Sequence, residues 1–244
     1  MRRYIPPMHP FTDYDRVYVI NLANRLDRRR EMTEQFAIVD CDANQAPVHW
    51  FSAIRPAAAD GFPTLGARGC FMSHLGVLQN AVEDRLERIL ILEDDVDFSQ
   101  GFRADFADAN ARLRDKDWSI FYGGYAVPSG ARFDFSDGVL ALAPPAVGLQ
   151  TTHFMGIRGD SIREIRDYLG QILTRPPGHP DGGPMHVDGA YSRYRNDFPG
   201  RNTFVHKKML GVQRPSRTDI HDLKWYDKAP GVRTLAAALR KLRR

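Results

Sequence analysis

The sequence predicts an α/β fold, with a mostly parallel central sheet flanked by helices in a single domain. Three observations predict it. Short β-branched and apolar runs alternate with segments whose apolar residues recur at helical spacing. The clearest of those runs, RILIL at residues 88–92, is a buried strand by its composition. The chain has 244 residues, with 43% hydrophobic and 26% charged, which suits one such domain with a sizeable core.

The elements follow in order. Residues 16–22 (RVYVINL) read as a buried strand, residues 24–30 as a charged turn, and residues 28–37 as a helix. A second strand covers residues 48–53, and residues 56–63 are loop. Residues 67–82 place Phe71, Leu75 and Leu78 on one helix side. The strand at 88–92 runs straight into Glu93, Asp94 and Asp95. A helix covers residues 102–113. A strand covers 118–122 and is expected to end at Gly123 and Gly124. Residues 139–143 and 152–157 are further strands. Residues 160–173 form a helix for which Asp160 or Ser161 is the expected cap. Residues 175–184, rich in Pro and Gly, are loop; 187–195 is a helix and 203–207 a late strand. Residues 235–242 spell a short basic amphipathic helix. The boundary is drawn after residue 228, leaving 229–244 as a basic tail.

Composition narrows the class. No apolar run is long enough to cross a bilayer, and the first ten residues lack the apolar core of a secretory leader. The two cysteines, Cys41 and Cys70, cannot make a disulfide framework and suit a reducing compartment. The expectation is a cytoplasmic protein. Net charge is +4, but residues 201–244 hold twelve Lys/Arg against three Asp/Glu. That segment carries +9 and the rest −5. Such a tail meets anionic partners or is simply solvated.

Five segments carry candidate chemistry. In open α/β sheets ligands bind beyond the carboxyl ends of the strands, where Glu93-Asp94-Asp95 falls. Packed carboxylates repel unless something cationic neutralises them. A hard divalent ion does so and also bridges a diphosphate; an acidic loop before a helix is the alternative. After the first strand come Asn21, Arg25 and Arg28, placed to read a base or ribose and to bind phosphate. Arg29 and Arg30 read better as solvated helix residues. Residues 66–74 (GARGCFMSH) resemble a loop entering a helix whose amides take an anion. Asp188, after the flexible loop, is a general-base candidate or a helix cap. Residues 213–221 supply Arg214, Ser216, Asp219 and His221, as a phosphate clamp, a late metal ligand or a polar turn.

The order and spacing of these segments resemble glycosyltransferase family 25, the lipopolysaccharide and collagen galactosyltransferase-like family. The matching stretches are residues 17–28 (VYVINLANRLDR), 66–74, 89–96 (ILILEDDV), 117–124 (DWSIFYGG), 153–157 (HFMGI), 187–188 and 213–220. The resemblance implies a GT-A-like fold, a UDP-sugar donor, Mn²⁺ or Mg²⁺, and inversion to a β-linked sugar, typically galactose. It implies Asp188 as base and Asp95 and Asp94 toward the metal; His221 is the candidate late metal ligand from the residues alone. Asn21, Arg25, Arg28, Ser73, His74, Glu93, Asp94 and Arg214 would face the donor. The chain departs from the family at Ala67 or Arg68, where an acidic residue is common, at His153-Phe154-Met155, and at Thr218-Asp219-Ile220. Those departures bear on donor and acceptor identity.

The implied function is hexose transfer from a UDP-sugar to a saccharide or glycolipid acceptor in cell-surface glycan synthesis. The basic terminal helix places Leu235, Leu239 and Leu242 on one face. It would lie on the inner face of a membrane, or pack on the domain. A non-catalytic nucleotide-sugar-binding or scaffold protein is the second reading, and a metal-dependent phosphotransferase the third. Nucleic-acid binding would explain the tail but not the acids, so no nucleic-acid partner is expected.

Overall fold

The computed structural model describes residues 9–214. The strands are β1 (Arg16–Asn21), β2 (Val48–Ser52), β3 (Arg88–Glu93), β4 (Val96–Phe98), β5 (Ile120–Ala126), β6 (Leu140–Leu142), β7 (Gln150–Arg158), β8 (Thr203–His206) and β9 (Gly211–Gln213). The helices are α1 (Leu26–Ile38), α2 (Leu65–Glu83), α3 (Phe102–Arg114), α4 (Asp160–Thr174) and α5 (Val187–Asp197). Seven strands form one sheet in the order β2-β1-β3-β7-β5-β8-β6. β1 runs parallel to β2 and β3, and β5 parallel to β8. β7 is antiparallel to both β3 and β5, and β6 to β8. Five strands therefore point one way and two the other, so the sheet is mostly parallel, with β7 reversed at its centre.

The period of two along β3 divides the core. Ile89 and Ile91 face an apolar layer with Phe71, Leu78, Ile165 and Tyr191, from α2, α4 and α5. Leu90 and Leu92 face the opposite layer with Phe36, Phe102 and Phe106, from α1 and α3. All four β3 residues are fully buried. A strand covered on both faces by helices needs such a continuous apolar run.

The reversal of β7 matters for the site. Leu92 pairs with Phe154, so the carboxyl end of β3 meets the beginning of β7. Thr151 and Thr152 thus arrive beside Glu93. β9 closes the other side: it pairs with β4 just after the acids, and Arg214 N donates to Asp95 O at 2.7 Å. Both ribbon strands are three residues long, too short to show a periodicity.

Gly123 and Gly124 do not end β5; the strand continues to Ala126 with register shifts around Gly124. The glycines are there because β7 crosses close by. A Cβ on Gly123 would overlap the Phe154 ring, and one on Gly124 would overlap His153 and sit 2.6 Å from Gly211 O. The N-cap of α4 is Gly159 at φ 62, not Asp160 or Ser161, with no side-chain hydrogen bond. The expected terminal helix at 235–242 and the boundary after residue 228 lie outside the described residues.

Gly124→Ala is expected to lower stability by about 1–3 kcal/mol, the cost of overpacking a filled site. Gly148→Ala, where a Cβ meets nothing within 4 Å, should cost far less. Urea denaturation of both variants checks this.

Candidate functional site

A cleft of about 280 Å³ opens at the carboxyl ends of β1 and β3. Its floor is Glu93, Asp94 and Asp95; its walls include Arg28, Arg55 and the first turns of α2. The three acids are not equivalent. Asp94 is 6% exposed and fully matched: its Oδ2 accepts from Asn21 Nδ2 at 2.7 Å, and its Oδ1 from Arg28 Nη1 at 2.7 Å. Burial pushes the Asp94 carboxyl up, and Arg28 and Asn21 work against that.

Asp95 is 3% exposed. Arg28 Nη1 lies 3.5 Å from its Oδ2, while its Oδ1 is buried without a hydrogen-bond partner. Burial first and Glu93 second push the Asp95 carboxyl up to about 7. Glu93 goes the other way. Burial raises it, but the facing His74, His153 and the Thr152 hydroxyl bring it below its ordinary value. Thr152 Oγ1 donates to Glu93 Oε1 at 2.9 Å, and Gln213 Nε2 donates to Oε2 at 3.3 Å. Burial and the neighbouring Glu93 thus raise Asp95, while the groups facing Glu93 hold it down.

The wall above the acids is built by α2. The Thr64 hydroxyl accepts from Ala67 N at 3.0 Å and caps the helix. The first turn, Leu65 and Gly66, lines the cleft. Free amides and the helix dipole thus face the same space as the acids, an arrangement suited to an anion. A Cβ on Gly69 would lie 2.8 Å from Ile54 O, so glycine lets α2 rest on the segment after β2. Ser73 fastens that segment: its Oγ accepts from Ile54 N at 2.8 Å and donates to Gly69 O at 2.6 Å.

A second cavity of about 140 Å³ lies on the other side of Glu93. It is lined by Thr151, Thr152, Asp188 and Gln213, and shares Cys70 and Glu93 with the first. Asp188 stands in the first turn of α5, one residue past the N-cap-adjacent Val187, with His186 at the cap position. Its Oδ1 accepts from Gly189 N at 2.7 Å and its Oδ2 from Thr151 N at 3.4 Å. Thr151 has φ 68, a conformation β-branched residues rarely adopt. That backbone twist turns the Thr151 amide toward Asp188.

The structure brings Asn21, Arg28, Ser73, His74, Glu93, Asp94 and Asp95 together at the first cleft, and Asp188 at the second. Asn21, Arg28 and Ser73 hold other parts of the wall in place. Arg25 caps α1 and bonds Asp27, away from the cleft lining. Arg214 reaches the site by its backbone only; its guanidinium pairs with Asp97 at 2.7 Å and with Glu31. His221 lies outside the described residues. Sequence reasoning missed Arg55, an exposed cation on the cleft wall, because it opens a loop with no pattern around it. It also passed over Thr152, Gln213 and Cys70, the last two inside segments it had singled out.

The donor set fits a hard divalent cation. Glu93 and Asp95 offer carboxylate oxygens, one of them buried and unmatched, while Asp94 is already neutralised by Arg28. The assembled groups would hold a cation, a diphosphate and, across Glu93, a hydroxyl facing a carboxylate.

Residues 14–127 match the family described as Glycosyltransferase family 25 (LPS biosynthesis protein). The inactive glycosyltransferase 25 family member 3 of Homo sapiens is 35% identical over 106 residues, covering 37% of this chain and 18% of that protein. Procollagen galactosyltransferase 2 of Mus musculus is 29% identical over 130 residues, covering 46% of this chain and 21% of its own. The chain thus spans about a fifth of these relatives. A solved glycosyltransferase involved in glycosylation of the major capsid of PBCV-1 aligns with 78% of this chain and 91% of its own, at 14% identity and a TM-score of 0.40. The resemblance to family 25 legible in the motifs is matched by the family model over residues 14–127.

Because Asp95 titrates higher folded than its ordinary 3.8, its charged form opposes folding. The stability it contributes is present below about pH 4 and is lost as pH rises through about 7. Without added metal, Asp95→Asn should therefore be more stable than wild type at pH 8, by on the order of 2 kcal/mol. That advantage should shrink toward pH 5. Denaturant melts at the two pH values check the sign.

Proposed function

We propose that this chain, a relative of glycosyltransferase family 25 through residues 14–127, is an inverting, metal-dependent hexosyltransferase. It moves a hexose from a UDP-sugar to a saccharide or glycolipid acceptor in cell-surface glycan synthesis. The observation that carries this reading is the pair of cavities meeting at Glu93, with the acids and the α2 terminus on one side and Asp188 on the other. Donor and acceptor would meet where the two cavities share Cys70 and Glu93, with the acceptor hydroxyl approaching the anomeric carbon on the face opposite the leaving diphosphate.

In this reading Asn21 and Arg28 keep Asp94 fixed at the cleft floor and so set the position of Asp95. The amides at the start of α2 and the Arg55 guanidinium bind the diphosphate. Asp95, with Glu93, would hold Mn²⁺ or Mg²⁺, which would supply charge neutralisation for a leaving diphosphate. Asp188, held by the amides of Thr151 and Gly189, takes the proton of the acceptor hydroxyl. Galactose is the proposed sugar, in keeping with the mouse relative's name, and a lipopolysaccharide-type acceptor with the family description. The fold we assign is GT-A-like. Among the described residues no helix is long and apolar enough to cross a membrane. We place the chain in the cytoplasm, with the basic tail at 229–244 as the proposed membrane contact and no role for nucleic acid.

A non-catalytic nucleotide-sugar-binding protein is the second reading, favoured by the human relative named inactive. Release of UDP from a panel of UDP-sugars, with Mn²⁺ and then with EDTA, separates the two. Metal-dependent release from one donor is expected, abolished by Asp95→Ala. Asp188→Asn should lower kcat about 10²–10⁴-fold while UDP still binds. Binding of UDP without release from any donor, whatever the acceptor, would establish the second reading instead.

A further inference from the structure

Where the two cavities meet lies a ligand set of which the proposed transfer uses only Glu93. Cys70 Sγ, a His74 ring nitrogen and a Glu93 carboxylate oxygen all lie within 4.8 Å of one another. Cys70 and His74 are one helical turn apart on α2 and project from the same face. Glu93 comes from the end of β3.

Orientation adds an independent observation. His74 is fully buried. Its Nδ1 meets Tyr191 Oη at 3.2 Å. Its Nε2 has no hydrogen-bond partner and faces Glu93 Oε1 at 3.9 Å. A ligating histidine characteristically has its other nitrogen hydrogen-bonded by a neighbour, which fixes ring and tautomer. Tyr191 supplies that partner from α5.

We propose that Cys70, His74 and Glu93 form a site for a thiophilic divalent cation of the Zn²⁺ class, which shares Glu93 with the oxygen-ligand position at Asp95. Sulfur and imidazole select such ions over Mg²⁺ or Mn²⁺. Ligands about 2.0–2.3 Å from one ion lie ~3.5 Å apart in a tetrahedron, so the three side chains need close by only about 1 Å. Burial and the acids Glu93, Asp188 and Asp95 hold the Cys70 thiol well above its ordinary value. A bound dication reverses that balance, and the thiol proton leaves to solvent. With three protein ligands the fourth position stays open.

Occupancy has a consequence that rests on the proposed transfer reaction. Glu93 and Cys70 border both cavities. An ion there draws Glu93 off Thr152 and Gln213 and takes from Asp95 the second carboxylate of the Mn²⁺ position, blocking it. Zn²⁺ is therefore an inhibitor of the Mn²⁺-supported reaction.

The test titrates the intact chain with Co²⁺, the spectroscopic stand-in for Zn²⁺, and reads the thiolate-to-metal absorption band. One equivalent should develop the band. Cys70→Ser should abolish it. Tyr191→Phe should weaken affinity about 10–100-fold, as loss of an outer-shell partner does. Cys41→Ser, away from the cluster, should leave it intact. Absence of the band in folded wild type, or its persistence in Cys70→Ser, overturns the site. In the UDP-release assay micromolar Zn²⁺ should inhibit wild type and spare Cys70→Ser; equal inhibition of both overturns the blocking role. A Co²⁺ band in a chain that releases no UDP would leave the site standing and remove the transferase reading instead.

Discussion

Three carboxylates at the end of one buried strand impose the constraint around which this molecule is arranged. β3 is apolar on both faces, so its chain direction delivers Glu93, Asp94 and Asp95 to one place with little freedom to splay apart. Their repulsion has to be met from elsewhere in the fold. α1 supplies Arg28 and β1 supplies Asn21, and both are spent on Asp94. β7 and β9 supply neutral donors, Thr152 and Gln213, and both go to Glu93. Asp95 shares Arg28 at 3.5 Å and the Gln213 amide, and keeps one oxygen unmatched. On the proposed reading, one further cation would bind at Asp95.

The reversed strand β7 is the second structural condition. A parallel strand in that place would start at the opposite edge of the sheet, and Thr152 would not reach Glu93. Running antiparallel, it brings its first residues to the acids and its strained Thr151 to Asp188. The glycine pair in β5 makes room for the bulky residues that follow in β7. Of the two cavities β7 lines the second, through Thr151 and Thr152, and the two share Cys70 and Glu93.

Much of this was legible in the sequence, for physical reasons. Long elements with a clean period, such as β3, α2 and α4, show themselves because burial on a face fixes which positions are apolar. The acids were legible because three adjacent carboxylates after a buried strand are costly without a purpose. The antiparallel course of β7 was not legible, since a buried strand reads the same in either direction. Gly123 and Gly124 read as a stop, because the reason for them, the His153 and Phe154 rings, lies thirty residues away in the chain. The partition among the acids was hidden for the same reason: Arg28 is 66 residues from Asp94. Arg214 illustrates the converse. It was expected at the donor; its backbone comes beside Asp95, but its guanidinium is committed to Asp97 and Glu31.

The central claim is that Asp94 is neutralised by the protein's own cation while Asp95 awaits a divalent one. The most direct measurement is the amount of Mn²⁺ bound, read from loss of the free-ion paramagnetic resonance signal as the chain is titrated in the presence of UDP. Wild type should take up one ion, and Asp95→Asn should take up none at the same concentrations while remaining folded. Equal uptake by the two proteins, or none by wild type, would contradict the account.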